Sequence, residues 1–418
     1  MFRKVDFLEK SLDDHAPYAG EDRIAEIRRL AEDLGSLRVL HVNSTSYGGG
    51  VAELLYTIVP LMRDAGLDAE WHVIDGAPDQ FFDITKKIHN SLQGANTPLS
   101  DGEWRLYEDI NRELAEAFPR GPWDIVVVHD PQPLAVLTFL DLISESDRPV
   151  VGRWFWRCHI DLSTPLEETW QKLWPYVNAY DGAIVTSRQY ARDEMTLPVA
   201  EITPSTDPTS PKNFPIPEGE ARKMMGSFGV DPARPIIVQV SRFDPWKDPF
   251  GVVEAYRMLK GKWPELQLAM VGSIAADDPE GIGILAHLKE EAVGDRNIHV
   301  LSNEDGVGAR EVAAFQQCAD VVIQKSIREG FGLTITEAMW KRRPVVAGNA
   351  TGCKIQITDG MDGFIVGTTQ QCAERIDEIL SDPDLGARLG DAARETVRRR
   401  FLSTQHVANY LNLFAGCQ

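Results

Sequence analysis

Two series of short Val/Ile-rich runs, each followed by a longer amphipathic stretch, most constrain what this chain can fold into. In the first half the runs are "LRVLHV" (37–42), "AEWHVI" (69–74), "DIVVVH" (124–129), "PVVGRW" (149–154) and "GAIVTS" (182–187). "VAELLYTIVPLMRDAG" (51–66) and "LEETWQKLWPYV" (166–177) read as helices between them. Strands that stay apolar at consecutive positions suit a sheet covered on both faces, as in a parallel sheet with crossover helices. The first half is therefore expected to be a βαβ-type α/β domain.

The proline-rich segment "ITPSTDPTSPKNFPIPEGE" (202–220) breaks the pattern and reads as a linker. A second series follows: "PIIVQVS" (235–241), "LQLAMVGS" (266–273), "NIHVLS" (297–302), "ADVVIQKS" (319–326) and "PVVAGN" (344–349). From about 368 the chain reads as helical. The expected division is 1–205, 206–400, and a terminal helix over 401–418 that packs back toward the amino-terminal domain. Ligands of open α/β sheets bind at the carboxyl ends of strands, so two facing sheets would place a site in the cleft between them.

A length of 418 residues accommodates two such domains. With 43 Lys and Arg against 63 Asp and Glu the formal charge is −20, which disfavours non-specific contact with nucleic acid or anionic membrane. No apolar run is long enough to span a bilayer, and "MFRKVDFLEKSLDDH" lacks the apolar core of a signal peptide. Cys158, Cys318, Cys353, Cys372 and Cys417 form no CxxC, so they read as buried small hydrophobes in a reducing cytoplasm.

Several segments after strands carry chemistry. In "VNSTSYGGGVAE" (42–53), Gly48, Gly49 and Gly50 leave backbone N–H groups open to an anion at a helix start. The segment matches neither GxGxxG nor GxxxxGK[ST], and it reads equally well as a tight turn. In "VSRFDPWKDP" (240–249), Arg242 and Lys247 can grip a phosphate or simply be solvated. His129 and Asp130 in "HDPQP", and His159 in "RWFWRCHIDLS", stand where ligand contacts are expected, although histidines there are also commonly packed. Trp154, Phe155 and Trp156 offer an apolar wall of the kind sugars stack on. "SIREGFGLTITEAMW" (326–340) sets Glu329 before a Gly-Phe-Gly turn and Glu337 early in a helix. Either carboxylate could accept from sugar hydroxyls, but "TITE" also fits a capping box in which Glu337 bonds back to Thr334.

Taken together, these segments resemble the retaining nucleotide-sugar glycosyltransferases of the GT-B type, a group that includes sucrose and glycogen synthases. "EGFGLTITE" matches the group's E-x7-E motif, "SRFDPWKD" its R…K phosphate pair, "GGGVAE" its glycine loop and "DGMDGFIV" (359–366) its late strand motif. Ser241 and Asp248 replace the more usual glycines, and Cys353 in "NATGCKIQ" stands where a Gly-Gly pair is usual. Within the group, "NSTSYGGGVAELL", "HDPQP", "WRCHIDLS" and "REGFGLTITEAMWK" most resemble the trehalose glycosyltransferring synthases.

The resemblance implies a GT-B fold, two Rossmann-like domains facing each other across a cleft. It implies transfer of glucose from an NDP-glucose to free glucose, giving α,α-trehalose and NDP. Arg242 and Lys247 would hold the diphosphate, and Glu329 the transferred glucose. Backbone groups of Gly330, Phe331, Gly332, Leu333 and Thr334 would bind donor hydroxyls and phosphate, and Glu337 the ribose. Gly49 and Gly50 would approach the donor; His159 would meet the sugar at the reaction centre, with His129 and Asp130 on the acceptor. Arg242, Lys247, Glu329 and His159 would be the catalytic set. No tightly bound cofactor or protein-bound metal is implied, although Mg²⁺ can accompany the nucleotide. The expected partners are these small molecules and, optionally, a second copy of the chain as a homodimer. Rival readings are a phosphorylase splitting trehalose with phosphate, a transferase with another acceptor, a glycoside hydrolase and a non-catalytic sugar binder.

Overall fold

The computed structural model describes residues 1–47, 49–142, 152–274 and 279–417. Gly48 and the start of the expected strand at 149–151 lie outside the described residues. The chain forms two compact units, 1–204 with 403–418, and 205–402.

The first unit is built on a seven-stranded sheet: β1 (Phe2–Lys4), β2 (Arg38–Asn43), β3 (Asp68–Ile74), β4 (Ile125–His129), β5 (Arg153–Cys158), β6 (Gly182–Val185) and β7 (Val199–Glu201). Its order is β1-β3-β2-β4-β5-β6-β7, parallel except for antiparallel β1. The order reverses between β2 and β4, which makes their carboxyl ends the natural ligand crevice of this sheet. Side chains alternate between two apolar layers. Val126, Val128, Trp154 and Trp156 enter one; Val39, Val127 and Phe155 enter the other, with Tyr410 and Leu411 of the last helix. That helix, Ser403–Ala415, packs on helices Glu21–Leu34 and Gly50–Asp64.

The fifth strand corrects the sequence reading. It runs over Arg153–Cys158 rather than 149–154, in register with β4 from Ile125↔Arg153 to His129↔Arg157. Trp154, Phe155 and Trp156 are therefore core residues and do not form an exposed wall. Each contributes about 2–3 kcal/mol of burial to the sheet.

The second unit carries six parallel strands: β8 (Ile236–Val240), β9 (Gln267–Val271), β10 (Ile298–Leu301), β11 (Val321–Gln324), β12 (Val345–Gly348) and β13 (Phe364–Val366). The order β10-β9-β8-β11-β12-β13 puts the reversal between β8 and β11. At the two ends of this unit Thr206 N–H donates to Phe401 O at 2.7 Å. No helix among the described residues is long and apolar enough to cross a membrane. All five cysteines are free; Cys158, Cys353 and Cys372 are buried, and Cys318 and Cys417 are partly so.

Candidate active site

The second sheet's reversal brings together the loops after β8 and β11. Lys247 Nζ lies 2.7 Å from Glu329 Oε2, both side chains nearly buried. Ser326 Oγ–H also donates to Glu329 Oε2 at 3.1 Å. The loops are laced by Ile327 N–H donating to Trp246 O at 2.8 Å and by the Arg328 guanidinium over the Trp246 ring. Arg242 is exposed and paired with Asp244 at 3.0 Å. Asp244 also accepts from Trp246 N–H, so it orients the guanidinium while capping a short turn.

Glycine is required at two points here. Gly332, at φ +85°, begins helix Leu333–Trp340 in the left-handed region, and a Cβ on it would lie 3.0 Å from the Glu329 side chain. A Cβ on Gly352 would lie 2.5 Å from Glu329 O, to which Gly352 N–H donates at 3.1 Å. Gln356 Nε2–H donates to the carbonyl oxygens of Phe331 and Gly352. The Gly-Phe-Gly turn is thus clamped from helix Thr351–Gln356, with the open N–H groups of Leu333 and Thr334 at the positive end of a helix. Cys353 points into the core, and burial pushes its thiol up, so the unusual residue in this loop leaves the close approach to Gly352. Asp248 is at φ +47°, which explains why glycine is usual there. It tolerates the left-handed turn, accepts from Gly251 N–H to cap the next helix and pairs with Lys325.

The capping-box reading of Glu337 does not hold. The helix is capped by Gly332 without a side-chain bond, and Thr334 already lies inside its first turn. Glu337 is buried one turn on, 3.7 Å from Lys212 Nζ. It also faces Lys341, whose amine burial lowers to about 8 while Glu337 holds it up.

In the first unit, Gly49 is extended and caps helix Gly50–Asp64 without a side chain; a Cβ there would meet nothing within 4 Å. Asp130 follows β4 at φ +60°, and its Oδ1 accepts from His159 N–H at 2.9 Å. Burial pushes its carboxyl up to about 6, against the lowering pull of that bond and of Arg157. His129 corrects the acceptor assignment. It is fully buried, its Nε2 is 3.0 Å from His41 Nδ1, and its Nδ1 is 3.1 Å from His159 Nε2. Neither ring nitrogen is left for a sugar. His159 is only partly buried, and its Nδ1 meets no protein partner among the described residues. Sequence reasoning missed His41 and Arg157, polar residues that share a strand face with Val39, Val127 and Phe155. It also missed Lys325 and Gln356, for which spacing carries no signal.

Residues 41–192 match the family model described as trehalose synthase, N-terminal domain, and residues 221–396 match glycosyl transferases group 1. A trehalose synthase of Rubrobacter xylanophilus is 46% identical over 99% of both chains. A trehalose phosphorylase of Pleurotus pulmonarius is 26% identical, covering 97% of this chain and 61% of that protein. The sucrose-phosphate synthase structure from Thermosynechococcus elongatus superposes with a TM-score of 0.68 at 18% identity, over 91% of this chain and all of that one, a likeness of fold. These matches, across nearly the whole length, establish that the chain belongs to the trehalose synthase family of GT-B glycosyltransferases.

Proposed function

We propose that the protein transfers glucose from a nucleoside diphosphate glucose to free glucose with retention at the anomeric carbon, in a reversible reaction giving α,α-trehalose and the nucleoside diphosphate. The observation that carries this reading is the Lys247–Glu329 pair, seated at the second sheet's reversal beside the start of helix Leu333–Trp340. In this reading Lys247 and Arg242 hold the diphosphate with the N–H groups of Gly330 to Thr334, and Glu329 accepts from the glucose hydroxyls. Glu337 takes the ribose diol. From the first unit, Gly49 and Gly50 approach the donor, while Asp130 and His159 contact the sugar. The bond from the anomeric carbon to phosphate breaks as the bond to the acceptor oxygen forms on the same face, and the acceptor's proton passes to the departing phosphate. Fixed cations and N–H dipoles stabilise the growing negative charge, and Mg²⁺ travels only with the nucleotide.

Purified protein incubated with ADP-, UDP- or GDP-glucose and glucose should yield trehalose and nucleoside diphosphate in equal amounts. No trehalose from any donor would overturn the proposal. The Pleurotus relative favours one second reading, in which inorganic phosphate takes the diphosphate's place. Phosphate-dependent release of glucose 1-phosphate from trehalose, without synthesis from nucleotide sugars, would establish that alternative.

A further inference from the structure

His41, His129 and His159 form one hydrogen-bonded line at the first sheet's reversal, with N···N distances of 3.0 and 3.1 Å. The rings of His129 and His159 lie within 11° of parallel. A neutral imidazole has one N–H and one bare nitrogen, so two successive N···N bonds force the three rings to share one polarity. If the protons point toward His159, its Nδ1 carries an outward N–H. If they point toward His41, His159 Nδ1 is a bare acceptor.

The far end of the line decides between them. His41 Nε2 is buried without a hydrogen-bond partner among the described residues, with its ring edge-on to Tyr410 at 5.7 Å. Protons pointing inward would leave a buried N–H with no acceptor there. The opposite polarity leaves only a bare ring nitrogen, and orphaned buried N–H groups are the rarer and costlier defect. The groups facing the line favour neutral rings. Arg157, buried on the same sheet face, donates to Ile202 O at 2.6 Å, and His406 and Tyr410 close over it from the last helix. Asp130, whose charge acts on Arg157, binds the His159 backbone rather than a ring. Burial lowers His41 to about 3, and burial with Arg157 lowers His129, His159 and His406.

We propose that His41 and His129 are positioning residues that hold His159 as the neutral tautomer protonated at Nδ1, so that it presents an N–H to a sugar oxygen. This rests on the proposed glucosyl transfer, in which His159 meets the sugar. A neutral donor can orient that sugar without setting a fixed positive charge beside an anomeric centre that itself becomes cation-like.

The test uses the full-length protein with ¹⁵N-labelled histidine. In the unliganded wild type, the His159 Nδ1 resonance should be that of a protonated nitrogen and Nε2 that of a bare one. His41→Asp, whose ionised carboxylate only accepts, should draw the His129 proton to Nε2 and leave His159 Nδ1 bare. It should lower kcat for trehalose formation by about tenfold or more, with donor KM within about twofold, because the loss is one of orientation. His41→Asn, whose amide can donate to His129 Nε2, should recover most of the rate. A wild-type His159 protonated at Nε2 overturns the proposal, as does a His41→Asp variant with unchanged tautomer and kcat. If the wild type makes no trehalose from any donor, the proposed reaction fails, but the tautomer measurement still decides the histidine line. Should His41→Asp fail to fold, the wild-type spectrum and His41→Asn carry the test.

Discussion

At the second sheet's reversal, Lys247 and Glu329 form a 2.7 Å ion pair beneath loops that reach solvent. At the first sheet's reversal, His41, His129 and His159 are joined through neutral rings beside a buried arginine. Both regions arise from the same topology, a strand order that turns back on itself and opens a crevice at two carboxyl ends. Their chemistry is opposite. The ion pair can exchange partners: an arriving diphosphate would draw on Lys247, and sugar hydroxyls would satisfy Glu329. The histidine line is built so that no group changes charge. In the proposed transfer the leaving group gains negative charge while the reacting carbon becomes cation-like.

The largest expected effect breaks the charged side of this comparison. Lys247→Ala should lower kcat by about 10²–10³-fold, the loss seen when one fixed stabiliser of developing charge is removed, or about 3–4 kcal/mol of barrier. Lys247→Arg should recover only part of it, because the planar guanidinium does not reproduce the point charge on Glu329. Steady-state kinetics of trehalose formation would measure both. Turnover unchanged in Lys247→Ala would make the pair a structural contact, and the contrast between the two sites would lose its meaning.

Asp130 is the ionisable exception on the neutral side. Burial favours its protonated form, so between about pH 4 and 6 the folded chain binds more protons at this residue than the unfolded chain does. Its contribution to stability is therefore full below the unfolded value and is lost as pH rises through about 6. The loss amounts to roughly 2–3 kcal/mol by pH 7. Asp130→Asn keeps an acceptor for His159 N–H and should remove this dependence. The melting temperature of the variant should exceed that of wild type near pH 7 and converge with it near pH 4. Parallel curves across that range would place the Asp130 carboxyl at its ordinary value.

How much of this was legible follows from which residues carry periodic or spaced signals. The strands were legible because burial on both faces of a parallel sheet leaves continuous Val/Ile runs. The exception was the run at 149–154, since β5 begins at Arg153 and continues through the aromatic stretch after it. Glu329, Lys247 and Arg242 stood out because they follow strands at motif spacing. The histidine line did not, since its members lie 88 and 30 residues apart and meet only through pairing register. A weaker signal was present. "RVLH", "VVVH" and "WFWR" each end an apolar run with a polar residue, which alternation sends to one face. The Gly332 cap was hidden because "TITE" satisfies a capping-box pattern that lies two residues too late.

Gly352 tests how closely the charged site depends on its scaffold. A Cβ at this position would lie 2.5 Å from Glu329 O and 2.8 Å from the backbone of Gly330 and Phe331, which are not flexible side-chain ends. Gly352→Ala should cost about 2 kcal/mol of stability by overpacking. It should also reduce turnover, since relief requires the Glu329 loop to shift. Thermal unfolding together with kinetics would check both. Unchanged turnover would show that Glu329 tolerates displacement.

The smallest effect sharpens the assignment of Glu337, which the helix no longer needs as a cap. Glu337→Gln keeps the length and polarity of the side chain while removing the charge that Lys212 and Lys341 face. If Glu337 accepts from the ribose diol, the variant should raise donor KM by about tenfold, near 1.4 kcal/mol, the scale of a hydrogen bond to a charged group. A donor whose ribose lacks both hydroxyls separates this from a general loosening of the helix. Wild type should bind that analogue about tenfold more weakly than the natural donor, and Glu337→Gln should bind the two almost alike. An equal loss for both donors in the variant would make Glu337 a counter-ion for Lys212 and Lys341. Recognition of the nucleotide would then rest on the diphosphate alone, on the same Lys247 and Arg242 that the first prediction removes.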